Sequence, residues 1–284
     1  MKVLLTGFDP FGGEPVNPAL EAVKKLDGLT LAGAQVHTVE IPTVRLKAIS
    51  KVKEAIAAFD PDIVICIGQA GGRTDLTVER VAINCDDFRI GDNEGNQPVD
   101  EPIVSGGPVG YFSTLPIKKI VAALTAKGIP AKVSNTAGTF VCNHVFYGLM
   151  DLLAHDTRKR RGGFIHVPYL PEQAARLKDQ PSMALETIVA GLKAAVETAV
   201  ENEKDANTAA TVIISVIISS ISAVFITSIT IVVIAVVISS VPTVVITVII
   251  SISTVIISAT AIIVATAFIV TAVVTRFFFL EFCF

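Results

Sequence analysis

Apolar and polar positions alternate in blocks along this chain, and the blocks change period. Short runs dominated by apolar residues recur at 2–6, 35–41, 62–67, 131–134 and 163–167. Runs this short, rich in β-branched residues, predict strands largely buried by layers above and below them. Between them, apolar residues return at helical spacing, which predicts helices over about 17–25, 44–59, 114–127, 140–155 and 182–202. Strands that alternate with helices need crossover connections. The expected fold is therefore α/β: a mostly parallel, twisted sheet with helices on both faces, three layers in all. Open sheets of this kind place their sites at the carboxyl ends of the strands. Gly7, Gly68, Gly138 and His166 lie at or just past such ends and are expected to converge.

This pattern stops near Lys204. From 206 to 275 the chain consists of Val, Ile, Ser, Thr and Ala, apart from Asn207, Phe225, Pro242 and Phe268, with no charge, no Gly and no Leu. Two regions follow: an α/β domain over 1–204 and an atypical apolar tail over 205–284. About 20 apolar residues suffice to span a bilayer, so membrane association through 206–275 is one reading. Membrane helices, however, are rich in Leu and carry cationic or aromatic anchors, and β domains carry regular turn residues. The tail has neither. Every residue of 206–275 except Asn207 can be encoded with a pyrimidine at the middle codon position. The second reading is therefore a mistranslated, non-native or poorly ordered extension, and a β-branched, uncharged tract is an aggregation hazard. The final helix of the domain, with Glu197, Glu201, Glu203 and Lys204, is expected to end in water.

Composition narrows the function. The 284 residues carry a net charge of -3 with no basic stripe, which argues against nucleic acid. The opening run Met1–Gly7 is too short for a secretory leader. The four cysteines have neither metal-ligand spacing nor a disulfide framework, which suggests a reducing compartment and no metal. Cys66 lies in an apolar run and reads as core, Cys85 follows a polar turn, and Cys283 sits in the Phe-rich terminus.

Cys142 differs from these. In Ser134-Asn135-Thr136-Ala137-Gly138-Thr139-Phe140-Val141-Cys142-Asn143-His144 a strand runs into a small-residue turn, and the cysteine follows where an apolar helix begins. A buried cysteine is commonly just a small hydrophobe. A helix N-terminus, however, presents unpaired N–H groups and a positive dipole end, which favour a thiolate. Gly163-Phe164-Ile165-His166-Val167-Pro168 supplies a histidine near a strand end, in the order Cys then His that a cysteine hydrolase can use. His144 is closer in sequence, but positions two apart on a helix face different ways. Glu79, in Thr77-Val78-Glu79-Arg80-Val81-Ala82-Ile83-Asn84, is a carboxylate in an apolar run and needs a partner. It reads either as a salt bridge to Arg73 or Arg80, or as a triad's third member fixing a histidine tautomer. Phe8 and Phe11, in the turn Gly7-Phe8-Asp9-Pro10-Phe11-Gly12-Gly13, either cap the core or wall a small apolar pocket. In Ile67-Gly68-Gln69-Ala70-Gly71-Gly72-Arg73, small residues let backbone approach a ligand.

Four of these motifs, in this order, resemble the pyroglutamyl peptidase I family, also called pyrrolidone carboxyl peptidases: the Phe8–Phe11 turn, Val78–Asn84, Val141-Cys142-Asn143 and Phe164–Pro168. The resemblance covers 1 to about 204, and the tail is the departure from it. It implies a cysteine peptidase that removes an N-terminal pyroglutamyl residue through Cys142, His166 and Glu79. The lactam pocket would include Phe8, Phe11, Thr43, Ile90, Phe140 and Val141, with Gln69 near the substrate. It also implies a cytoplasmic homotetramer with no cofactor, acting on peptides that begin with pyroglutamate. The N–H of Cys142 and a donor from Arg89 would hold the oxyanion. Two other functions fit the same architecture: a non-catalytic small-molecule binding module, and a nucleoside phosphorylase-like enzyme with Gly12 and Gly13 near phosphate.

Overall fold

The run Lys2–Phe8 is buried at every position after Lys2, and Ile63–Gln69 is buried at all but its last. Such strands need cover above and below. In the computed structural model, which describes residues 1–238, the elements follow in this order: β1 (Lys2–Phe8), α1 (Pro18–Lys24), β2 (Thr30–Leu31), β3 (Ala34–Ile41), α2 (Lys47–Phe59), β4 (Ile63–Gln69), β5 (Leu76–Glu79), β6 (Val81–Ile83), β7 (Gly110–Phe112), α3 (Ile117–Ala126), β8 (Ala131–Ser134), α4 (Val141–Ala154), β9 (Arg161–Val167), α5 (Pro171–Ala174) and α6 (Leu185–Ile238). Seven strands form one sheet in the order β2-β3-β1-β4-β9-β5-β8, and β6 and β7 form a separate hairpin pair.

Alternation along the strands builds two cores. Val3, Leu5, Ile63, Ile65 and Ile67 face one side with residues of α1, α3 and α6, among them Leu20, Ile120, Leu124, Ile188, Leu192 and Val196. Leu4, Val64, Cys66 and Phe164 face the other with α2 and α4, through Ala48, Val52, Val145, Phe146 and Leu149. Burying each large aliphatic side chain contributes about 1.5–3 kcal/mol, so the period-two pattern fixes which residues share a face. Gly7 shows how tightly the layers meet: a Cβ there would lie 2.7 Å from the Leu20 Cα of α1.

The expected fold class is present, a mostly parallel sheet covered on both faces. Parallel register joins β1 to β3 and β4, β4 to β9, and β5 to β8, while β5 runs antiparallel to β9 and β2 to β3. The short elements β2, β6, β7 and α5 are additions, because pieces of two to four residues carry no periodicity.

The end of the last helix differs from expectation. It was expected near Asn202, with solvated charges closing it at Lys204, but α6 runs on without a break to Ile238. No Gly or Pro stands between Lys204 and Ile238 to stop it. The β-branched residues there each cost only a few tenths of a kcal/mol relative to good helix formers, too little to terminate a helix already formed. The chain divides into two units, Met1–Glu203 and Lys204–Phe284. Within the first, α6 buries residues as far as Val200, and Glu203 pairs with Arg161 at 2.6 Å. Among the described residues, side chains included, no helix is long and apolar enough to cross a membrane. The tail beyond Ile238, with Cys283, lies outside the described residues.

Candidate active site

The carboxyl ends of β1, β4 and β9 and the start of α4 surround one cavity of about 430 Å³, within the range of small-ligand sites. Register assembles its floor. Gly68 on β4 lies opposite His166 on β9, and His166 lies opposite Thr77 on β5. Two residues on from Thr77, on the same face of the strand, Glu79 reaches diagonally across, and its Oε1 lies 2.8 Å from His166 Nδ1. A carboxylate only accepts hydrogen bonds, so the His166 proton sits on Nδ1 and Nε2 keeps its lone pair.

Cys142 arrives from the opposite layer. It is the second residue of α4, whose N-terminus has no side-chain cap, so the first N–H groups of the helix stay available. Its Sγ lies over the backbone of β4: a Cβ on Gly68 would stand 2.9 Å from it. Glycine at 68 is what lets the thiol approach the strand carrying His166's register partner.

The charges are arranged around the buried carboxylate. Glu79 is fully buried and also accepts from Arg73 Nη1 at 2.6 Å, and Arg73 donates to Thr77 Oγ1 and to the Thr136 carbonyl. Glu79 therefore meets Arg73 and His166 at once, whereas Arg80 turns to Asn135 Oδ1 at 2.8 Å. Burial works to raise the Glu79 pKa, but the hydrogen bonds and charge of its partners, His166 foremost, outweigh it and hold it below the usual carboxylate range. Burial pushes His166 below the usual imidazole range, with the Glu79 hydrogen bond and charge opposing it. Burial pushes the Cys142 thiol up to about 12, and the nearby Glu79 charge pushes the same way. Desolvation of the charged sulfur thus opposes the thiolate expected at a helix N-terminus, while Arg73 favours it.

The walls are mostly apolar. Phe8, Phe11 and Phe140 line the cavity together with Thr43, Gln69, Arg73 and Arg89. Phe140 stacks against Phe11 at 6.1 Å and edge-on to Phe88 at 4.8 Å between centroids. Gln97 Nε2 donates to the carbonyls of Phe88 and Arg89, tying down the loop that carries Arg89. Two expected pocket residues are absent from the lining. Val141, the first residue of α4, is fully buried in the core behind it, because helical side chains at successive positions diverge. Ile90 lies half-buried one residue beyond Arg89. Gly12 and Gly13 of the first loop are also outside it. His144 faces away from the thiol: Nδ1 meets Asp86 Oδ2 at 2.8 Å, and Nε2 accepts from the Leu46 N–H at 3.2 Å. Sequence reasoning missed Asn17, which lines the cavity and caps α1 by accepting from Ala19 N–H. An Asn-Pro pair before a helical run is an N-cap signal, but nothing in it speaks of a site. Among the described residues no group of His, Cys, Asp and Glu could hold a metal.

Comparison with known proteins places this geometry. Residues 1–202 match the family model described as pyroglutamyl peptidase. The chain is 62% identical over 203 residues to the pyrrolidone-carboxylate peptidase of Brevibacillus brevis, covering 72% of this chain and 94% of that one. It is 59% identical over 203 residues to pyrrolidone-carboxylate peptidase 1 of Ralstonia nicotianae, with the same coverage. Among solved structures it is similar to Bacillus amyloliquefaciens pyroglutamyl peptidase I, at 56% identity and a TM-score of 0.68, covering 70% of this chain and 96% of that one. A mutant pyrrolidone carboxyl peptidase from Pyrococcus furiosus matches at 45% identity and a TM-score of 0.69, over 71% and 99% of the two chains. With a family model spanning most of its length and relatives this similar, the chain belongs to the pyroglutamyl peptidase family.

Proposed function

We propose that this chain is a cysteine exopeptidase that hydrolyses the bond after an N-terminal pyroglutamyl residue, with Cys142 as nucleophile, His166 as proton carrier and Glu79 as its orienting carboxylate. One observation carries the substrate class. The cavity shared by Cys142 and His166 is walled by phenylalanines and has no Asp or Glu among its lining residues. An ordinary N-terminal ammonium would be desolvated there with no carboxylate partner. Pyroglutamate has its amine locked in a neutral lactam and needs none.

His166 Nε2 takes the Cys142 proton as the sulfur attacks the pyroglutamyl carbonyl carbon. The S–C bond forms as the C=O π pair moves onto oxygen. The N–H of Cys142 at the open helix end, with the Arg89 guanidinium, holds that oxyanion; losing one such donor costs about 3 kcal/mol of barrier. Glu79 stabilises the imidazolium, which then protonates the departing amine as the C–N bond breaks. Water, deprotonated by the same imidazole, cleaves the thioester and restores the thiol. Arg73 keeps Glu79 ionised throughout. The family's cytoplasmic tetramer is the assembly we expect here, and sedimentation of the full chain tests it.

A fluorogenic pyroglutamyl amide assayed beside the matching prolyl amide tests the reading, because prolyl keeps the five-membered ring but carries an ammonium. Turnover of the first alone, abolished by iodoacetamide and by Cys142→Ser, is expected. Equal turnover of the prolyl amide, or activity persisting after Cys142 is alkylated, would overturn it.

A further inference from the structure

Gln173 lies in α5, in a region that no step of the reaction uses, yet it is fully buried. Its two polar atoms have distinct partners. Oε1 accepts the backbone N–H of Leu170 at 3.0 Å. A backbone N–H can only donate, so this contact settles which end of the Gln173 amide is oxygen. Nε2 is then a donor, and it faces Gln69 Oε1 at 3.1 Å, Glu14 Oε2 at 3.3 Å and the Val16 carbonyl at 3.4 Å. Glu14 is itself held by Arg176 at 2.6 Å. A donor at Gln173 requires the oxygen of Gln69 to face it. Gln69 lines the catalytic cavity, and its NH₂ donates to no group among the described residues.

We propose that Gln173 is a positioning residue that fixes the amide of Gln69, so that Gln69 offers hydrogen-bond donors, never its acceptor, to the substrate in the cavity. The inference rests on the peptidase reading above and deepens it: the complementary group is a substrate carbonyl. An amide free to flip would present donor and acceptor in turn, and half its orientations would set oxygen against oxygen. The direction is set by one backbone N–H at Leu170, passed through two side-chain amides.

The test uses the full chain and the fluorogenic pyroglutamyl amide. Gln173→Glu keeps the shape and still accepts from Leu170, but when ionised it turns an oxygen toward Gln69 and so demands the Gln69 NH₂; the same oxygen faces Glu14 Oε2 and the Val16 carbonyl, a cost that the melting temperature reads. Gln173→Met keeps most of the volume and leaves Gln69 unconstrained. Gln69→Met removes the donor altogether. With the melting temperature of each variant recorded, KM is expected to rise about fivefold in Gln173→Met, the size of one ordinary hydrogen bond. About tenfold or more is expected in Gln173→Glu, with kcat changed less than twofold in both. In the Gln69→Met background neither change at 173 should raise KM further. A lowered melting temperature with KM unchanged would overturn the proposal, as would a KM increase that persists without Gln69. Wild-type protein that fails to cleave the pyroglutamyl amide would instead refute the peptidase reading on which the proposal stands.

Discussion

Replacing Gly68 by alanine tests the placement of the nucleophile directly. A Cβ at 68 would stand 2.9 Å from Cys142 Sγ and 2.8 Å from Phe164 Cζ, where ordinary contact begins at 3.4 Å. Strand β4 is hydrogen-bonded into the sheet between β1 and β9, so it yields less readily than the side chains. Sγ must therefore retreat by about half an ångström or more. A displacement of about 1 Å at a reacting atom can cost about 100-fold in rate, so a loss of about 10- to 100-fold in kcat is expected for Gly68→Ala. The phenylalanine walls are not touched, and KM should change less than threefold. Crowding Phe164 adds about 1–3 kcal/mol of destabilisation, which thermal unfolding reads separately. Steady-state kinetics on the fluorogenic amide, with the rate of Cys142 alkylation by iodoacetamide alongside, measures both effects. A variant with wild-type kcat and alkylation rate would refute the argument, because the thiol would then not rest against β4.

Glu79→Gln should lower turnover by about 10²–10⁴-fold, since the wrong imidazole tautomer becomes accessible. The Glu79 hydrogen bond and charge raise His166 against the effect of burial, so their loss moves the acid limb of the pH–rate profile to lower pH; an unmoved limb would show that His166 does not control it. His166→Ala should abolish activity, whereas His144→Ala should leave the chemistry and cost about 1–3 kcal/mol by removing the acceptor of the Leu46 N–H and one partner of buried Asp86, which keeps Arg45; the reverse ranking in a paired kinetic and melting experiment would reassign the base. Below about pH 6.5 the neutral buried His166 also costs stability, because the unfolded chain binds its proton first, and that loss grows down to the depressed folded value. A chain ended after Lys204 retains Val200 and the Glu203–Arg161 pair, and it should keep the same KM and aggregate less than the full chain; failure to fold would make the tail part of the working structure.

Much of this protein was legible in its sequence, for physical reasons that differ by element. The central strands could be read because a run such as Ile63–Ile67 has no polar residue to send to water, whichever neighbours it has. Of the residues expected to converge, Gly7, Gly68 and His166 come together from topology, since β1, β4 and β9 are parallel and in register, whereas Gly138 reaches the same cavity from β8, which runs the other way. Two features depended on tertiary contacts, and the end of the last helix was misjudged for a local reason. The pull on the Cys142 proton depends on how much water the cavity leaves to the sulfur, which helix position alone does not reveal, and burial raises its pKa. The partner of Glu79 could have been Arg73 or Arg80, and the loop between β4 and β5 brought Arg73 beside it while Arg80 met Asn135. The last helix was expected to stop at a run of charges, but charges alone do not break a helix that meets no Gly or Pro before Ile238. Gln173 carried no signal at all along the chain. Its role depends on which atoms face it across 104 positions of sequence, and only the folded chain brings those atoms together.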